Sequence, residues 1–175
     1  MIIGLSIQNF TIVHVAITLV AIASGLIVLF GMLGSHRLPG WTAIFLLMTI
    51  LTSVTGFMFP IHGFTPALGV GIVSLLVLTI ALLALYGTHL AGAWRWIYVA
   101  TAITALWFNV FVLIAQSFQK VPALNALAPT QSEPPFLIAQ IAAMAAFIAL
   151  GVAAVLRFHP VSGISVFGTG RTRGP

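Results

Sequence analysis

Histidines and carboxamides are nearly all this chain has for building chemistry, since its 175 residues hold five histidines, a single acid and no cysteine. His14, Asn109 and Gln140 fall inside long apolar runs, while Gln116 and His62 stand near the ends of such runs. Histidine can move a proton or ligate a metal or haem iron. Asn and Gln can only hold and orient a partner by hydrogen bonds. At a helical rise of about 1.5 Å per residue, His14, Thr55 and Gln140 lie roughly 6–8 Å below one face of a bilayer, and Asn109 roughly 14 Å below it. Polar groups inside lipid face either one another or a water-filled cavity. His14, Asn109, Gln116 and Gln140, with His62 and Trp107 beside them, are therefore candidates for the lining of a shallow pocket open on that side. A sealed network that only ties helices together is the competing reading.

Other chemistry fits less well. A haem held by two histidines needs both at matched depth on facing helices. His62 is the one partner on the side of His14, and it follows Pro60 in a connecting segment. His36, His89 and His159 gather toward the opposite face and are weak candidates for a metal such as zinc, but their spacing matches no metal motif and no carboxylate or cysteine supports them. Position near a helix C-terminus is reason enough for His36 and His89. The lone acid, Glu133, lies between two apolar runs, so no Ser-His-Asp set can form inside the bilayer, and no phosphate-binding Gly-rich motif occurs. Catalysis is not expected, except on a lipid or quinone through histidine and amides alone.

These residues must be carried by helices in lipid. The chain is 61% hydrophobic and 4% charged, against roughly 25% charged in a soluble domain. Five apolar runs, 10–33, 41–60, 67–91, 94–118 and 135–157, each reach the roughly 20 residues that span a bilayer. The expected fold is all-α: a polytopic bundle of five transmembrane helices over residues 1–157, with a short tail over 158–175. Residues 1–10 carry no Lys or Arg, so the first run reads as a retained helix and not as a signal peptide. Gly34, Pro39 and Gly40 punctuate the first hairpin, Pro60, Gly63 and Pro66 the next, and Gly87 and Gly92 the third. Gln119 to Pro135, with four prolines, is the one long loop, and Leu124 and Leu127 fit a short turn on the membrane surface. Thr18, Ala21 and Gly25, then Thr49, Thr52, Ser53 and Gly56, then Ala102, Ala105 and Asn109 recur at steps of three and four, the spacing of helix-packing faces.

Six basic residues give a formal charge of +5, too few and too dispersed for nucleic acid. With five spans, Arg37, Arg95, Arg157, Arg171 and Arg173 share one side and Lys120 takes the other. The positive-inside rule then puts the arginines and the C-terminus in the cytoplasm and the N-terminus in the periplasm. Trp41, Trp94, Trp96 and Tyr98 mark an aromatic belt on the arginine side. Gly34-Ser35-His36 before Trp41 is echoed by Gly87-Thr88-His89 before Trp94, which suggests a duplicated hairpin, helices one and two repeated as three and four, of the parallel kind found in some transporters.

The stretches Gly40 to Leu46, Thr52 to Phe57, Ala93 to Tyr98, Asn109 to Leu113 and Ala128 to Phe136 together resemble an uncharacterised group of small integral membrane proteins of proteobacteria. The resemblance implies a bacterial inner membrane and no established activity. Three functions are open at this point: an accessory or assembly subunit of a larger membrane complex, without catalysis of its own; a carrier or channel for a small uncharged solute; and a redox subunit binding haem b or quinone near His14 and Asn109. The partners implied are lipid and, for the first, other membrane subunits; only the third calls for a cofactor.

Overall fold

The computed structural model describes residues 2, 4–60, 63 and 66–160. Its helices are α1 (Ile7–Leu33), α2 (Pro39–Phe57), α3 (Pro66–Leu82), α4 (Trp94–Lys120), the short α5 (Pro122–Leu127) and α6 (Pro134–Arg157). Five of them are long and apolar enough to cross a membrane, α3 reaching that length by running on to Gly87. The chain is a membrane protein built as a helical bundle.

Local chemistry sets the ends. Ser6 accepts a hydrogen bond from Asn9 N and so starts α1 before its apolar run begins. Helices α2, α5 and α6 open with proline at a first position, where its missing N–H would be unsatisfied anyway. Helix α2 stops at Phe57, short of Pro60. Helix α3 closes in a π-helical turn, Leu83–Gly87, followed by His89 and Leu90 in the left-handed region at φ 50° and 63°. That conformation costs roughly 1–2 kcal/mol per residue, and Leu90, 7% exposed, offsets part of it by entering the core. The Gly34 turn is built differently, with Ser35 at φ 59° and a tight bond from His36 N to Gly31 O. The two Gly-x-His segments thus share composition and one end of the bundle but not a backbone conformation.

Helix α1 packs on α2, α2 on α3, α3 on α4 and α4 back on α1, closing a ring of four, while α6 lies outside against α4 and α1. The ring differs along its length. In the half nearer the arginines, Leu29, Phe45, Leu78, Val99 and Leu106 are at most 1% exposed. Gly25 permits this contact: a Cβ there would stand 2.6 Å from Leu106 Cδ1 and 2.8 Å from Phe45 Cδ2. Arg37, Arg95 and Arg157 stand at this end and Lys120 at the other. Arg95 Nη1 donates to the carbonyls of Phe158 and Val155, capping α6. His159 N donates to Ser35 Oγ at 2.9 Å, and Phe158 is 2% exposed. The tail therefore does not leave the bundle at residue 158. Residues 161–175 of that tail lie outside the described residues. The outer surface of the described helices is mainly apolar, with Phe30, Leu76, Ile138, Ile148 and Leu156 more than half exposed, as contact with lipid requires.

Candidate functional site: a polar-walled cleft

The half of the ring away from the arginines encloses a cleft of about 830 Å³ lined by all four helices. Its mouth lies where α1, α3 and the ends of α2 and α4 meet the surface, beside Phe59, Pro60, Gly63, Lys120 and Val121. Apolar walls of Val15, Leu19, Phe57, Phe108 and Val112 carry a broken strip of polar groups: His14 and Thr18, Thr52 and Ser53, Ser74, Asn109 and Gln116.

Each helix holds its polar groups in a fixed state. A hydroxyl has one hydrogen, and most Ser and Thr side chains here give it to the carbonyl one turn back. Thr55 Oγ1 lies 2.6 Å from Leu51 O, and Thr49 Oγ1 lies 2.8 Å from Phe45 O. A carbonyl can only accept, so both hydrogens are committed. Thr55 Oγ1 must then accept from His14 Nδ1, 2.7 Å away. This fixes the tautomer: the proton is on Nδ1, and Nε2 of neutral His14 is an acceptor with no partner among the described residues. The same reasoning orients the Asn109 amide. Its Nδ2 donates to Thr49 Oγ1 at 3.1 Å, which leaves Oδ1 unpaired among the described residues. Thr18 Oγ1 gives its hydrogen to His14 O at 2.9 Å and accepts from Thr52 Oγ1 at 3.3 Å.

Ser74 departs from this pattern. It is 3% exposed, its Oγ makes no hydrogen bond, and it lines the cleft. A buried hydroxyl without a partner costs roughly 1–3 kcal/mol. It is the group that sequence reasoning missed. The signal was there, as a single polar residue three positions after Gly71 in an otherwise apolar stretch. Lys120 was placed on this side by sequence but not at the cleft, which it lines at the mouth.

Of the six residues expected at the pocket, the structure brings His14, Asn109 and Gln116 to one cleft. Gln140 and Trp107 do not line it. Gln140 Nε2 donates to Phe111 O at 3.1 Å, so it serves the α4–α6 contact outside the ring. Trp107 stacks against Phe108 and Phe111, on a different face of α4 from Asn109. Two residues along a helix is a turn of about 200°, so similar depth did not mean a shared face. Trp107 Nε1 and Gln140 Oε1 are both buried without partners. His62 lies outside the described residues.

A smaller recess, about 250 Å³, lies at the arginine end. His36, Arg37, Tyr86, His89 and Tyr98 line it over Val28 and Met32. His36 and His89 therefore meet at one recess, while His159 is held by its backbone N–H at Ser35. Among the described residues no three His, Cys, Asp or Glu side chains gather as a metal-binding set.

On the loop before α6, Glu133 accepts from Thr130 Oγ1 at 2.8 Å and from the backbone N–H groups of Thr130 and Ser132, each at 3.1 Å. Desolvation pushes its carboxyl pKa up, and these hydrogen bonds together outweigh it, so the group titrates below the usual carboxylate value.

The cleft can bind and orient. It offers acceptors at His14 Nε2 and Asn109 Oδ1, a hydroxyl at Ser74, and no charged side chain below Lys120. Compared with family models, with curated proteins and with solved structures, the chain matches none.

Proposed function

We propose that this protein binds a small uncharged amphiphile in the cleft, admitting it from the Lys120 end. One observation carries the reading: the Ser74 hydroxyl, buried in the cleft wall with no partner. A group left in that state is completed by something that enters the cavity. The cavity's size falls in the range of small-molecule sites, and an apolar wall with few fixed polar groups is their usual make-up. A charged ligand would have no counter-ion at depth.

This reading uses features that an accessory subunit does not need, since such a subunit requires no cavity. The carrier reading needs a continuous polar path, and the layer of Leu29, Phe45, Leu78 and Leu106 interrupts it. For haem held by two histidines, the second axial ligand would have to be His62; His14, with Nδ1 donating to Thr55, keeps Nε2 open for one axial position only. The arginine tally favours a cleft that opens on the side away from the cytoplasm, which is the periplasm if the chain sits in a bacterial inner membrane, as its resemblance to small proteobacterial membrane proteins implies.

The test is saturable binding of 1-decanol, an uncharged amphiphile, to the protein in nanodiscs. Asn109→Leu and Ser74→Leu, which fill the deep wall, are expected to abolish it. Only linear, unsaturable partitioning, identical in the variants and in empty nanodiscs, would overturn the reading.

A further inference from the structure

Resting on that reading, we propose that the cleft is a quinol site: it takes a six-membered ring bearing oxygens on opposite carbons, with His14 Nε2 accepting from one hydroxyl and Asn109 and Ser74 holding the other oxygen.

The argument starts from the spacing of the unfilled groups. His14 is tied to Thr55, and Asn109 to Thr49. Six residues of α2 separate these two levels, about 9 Å along the axis. The wall between them carries Val15 and Val112, and its hydroxyls are already engaged: Thr18 and Thr52 bond to each other, and Ser53 donates to Thr49 O. A ligand that satisfies both levels needs a polar atom at each end of an apolar body of fixed length. Two hydrogen bonds of about 2.8 Å each with a ring between them span a distance of that order. A flexible chain with the same two groups would lose rotamer freedom on binding, and a ring would not. The walls suit a ring: Phe57, Phe59 and Phe108 line the cleft, and Phe59 stands edge-on to His14 at 5.3 Å between centroids and 84° between planes.

The protonation states decide between the two forms of such a ring. With its proton on Nδ1, neutral His14 presents a lone pair at Nε2. A quinol can donate to it; a quinone, having only carbonyl oxygens, cannot. At the deep end, Ser74 Oγ and the second Nδ2 hydrogen of Asn109 can donate to either form, and Asn109 Oδ1 can accept from a hydroxyl. The cleft therefore prefers the reduced ring, chiefly through His14 Nε2, which can only accept, and secondarily through Asn109 Oδ1 at the deep end. An isoprenoid or alkyl tail leaves past Phe59 toward the mouth. No electron transfer is part of the proposal.

The experiment measures equilibrium binding of decyl-benzoquinol, decyl-benzoquinone and 1-decanol to the protein in nanodiscs, without oxygen. The wild type is expected to bind the quinol saturably and about fivefold or more tighter than the quinone, the worth of one hydrogen bond. His14→Phe is expected to narrow the gap between the two affinities. Ser74→Ala is expected to weaken both forms alike. Equal affinity of the wild type for quinol and quinone overturns the assignment and needs no variant to fold. So does quinol binding that none of His14→Phe, Ser74→Ala and Asn109→Leu alters. If decanol binds in an Asn109-dependent manner and neither ring does, the quinol assignment falls while the amphiphile reading stands. If nothing binds saturably, both fall.

Discussion

Both ends of the four-helix ring are hollow, but the buried polar groups in the two walls differ: Tyr98 and Thr42 at the arginine end are paired, whereas Ser74 at the other end is not. In the recess at the arginine end, His36, Arg37 and His89 are exposed, so water or headgroups can satisfy them. In the cleft at the other end, Asn109 and Ser74 are 5% and 3% exposed and stand in the wall. On the proposed reading, these are the groups that a guest in the cleft would complete. Between the two lies a layer in which Phe45 and Leu106 close on Gly25. The difference teaches that cavity volume alone does not mark a binding site. The state of the hydrogen-bonding groups in its wall does.

The largest expected effect is on access. The chain has no native cysteine, so single cysteines report cleanly. Ser53→Cys and Ser74→Cys in the cleft wall should react with a small water-soluble thiol reagent added on the Lys120 side. Ala105→Cys and Ala81→Cys, in the sealed layer at 0% exposure, should stay unreacted until the protein unfolds. Labelling rates of the four variants check this. Equal rates at all four would erase the distinction between the two halves.

Next in size is packing. Gly25→Val forces atoms into Leu106 and Phe45, and overpacking of this kind costs about 1–3 kcal/mol or more. Gly56→Ala, on the cleft side, meets only His14 Cε1 at 3.8 Å and should be neutral or slightly stabilising, since alanine favours helix over glycine by up to about 1 kcal/mol. Thermal unfolding in one detergent compares the two. A glycine that tolerates valine in the seal would show that the layer is looser than its burial implies.

This contrast also separates what the sequence could tell from what it could not. Period, length and turn residues placed every long helix, because lipid imposes one rule on the whole outer surface. The ends moved by a few residues where a local cap or proline intervened, as Ser6 did for α1. Depth was legible too, since rise per residue is constant, and His14, Asn109 and Gln116, grouped by depth, line one cleft. Face was not. Asn109 and Trp107 differ by two residues and point apart, and nothing local says which side of α4 the ring occupies. The partners were equally hidden, because Thr55 and Thr49 reach His14 and Asn109 from another helix. Ser74 was missed because a lone serine in an apolar helix normally bonds to its own backbone. In the fold this one does not.

A smaller effect tests the wall itself. Asn109→Leu removes the donor to Thr49 Oγ1 but leaves the Thr49 hydrogen on Phe45 O, so no hydroxyl is stranded. Interhelical bonds of this kind contribute on average about 0.6 kcal/mol, and the added apolar contact offsets some of that. Stability should fall by less than about 1 kcal/mol. Thr49→Val strands the amide instead and should cost more, about 1–3 kcal/mol. Denaturation of the two variants gives the order, and the reverse order would mean that the Asn109 amide has a second partner in the cleft.

The smallest effect lies outside the ring, at the loop that joins α4 to α6. Glu133 holds the Thr130 and Ser132 amides only as a carboxylate. Its pKa in the folded chain is below the unfolded value of 4.5. The folded form therefore binds its proton more weakly, and the ordering of the loop is fully present above pH 4.5 and is lost as pH falls through the lower, folded value. Amide exchange at Thr130 and Ser132 should accelerate over that window, relative to the intrinsic rate at each pH, while exchange deep in the ring should not change. Glu133→Gln should show the accelerated exchange at every pH. A response that spread to α1 or α2 would mean that the loop braces the mouth of the cleft through Gln131, whose Nε2 donates to Ala115 O at 2.6 Å. A response confined to the loop would leave the cleft held by its four helices alone.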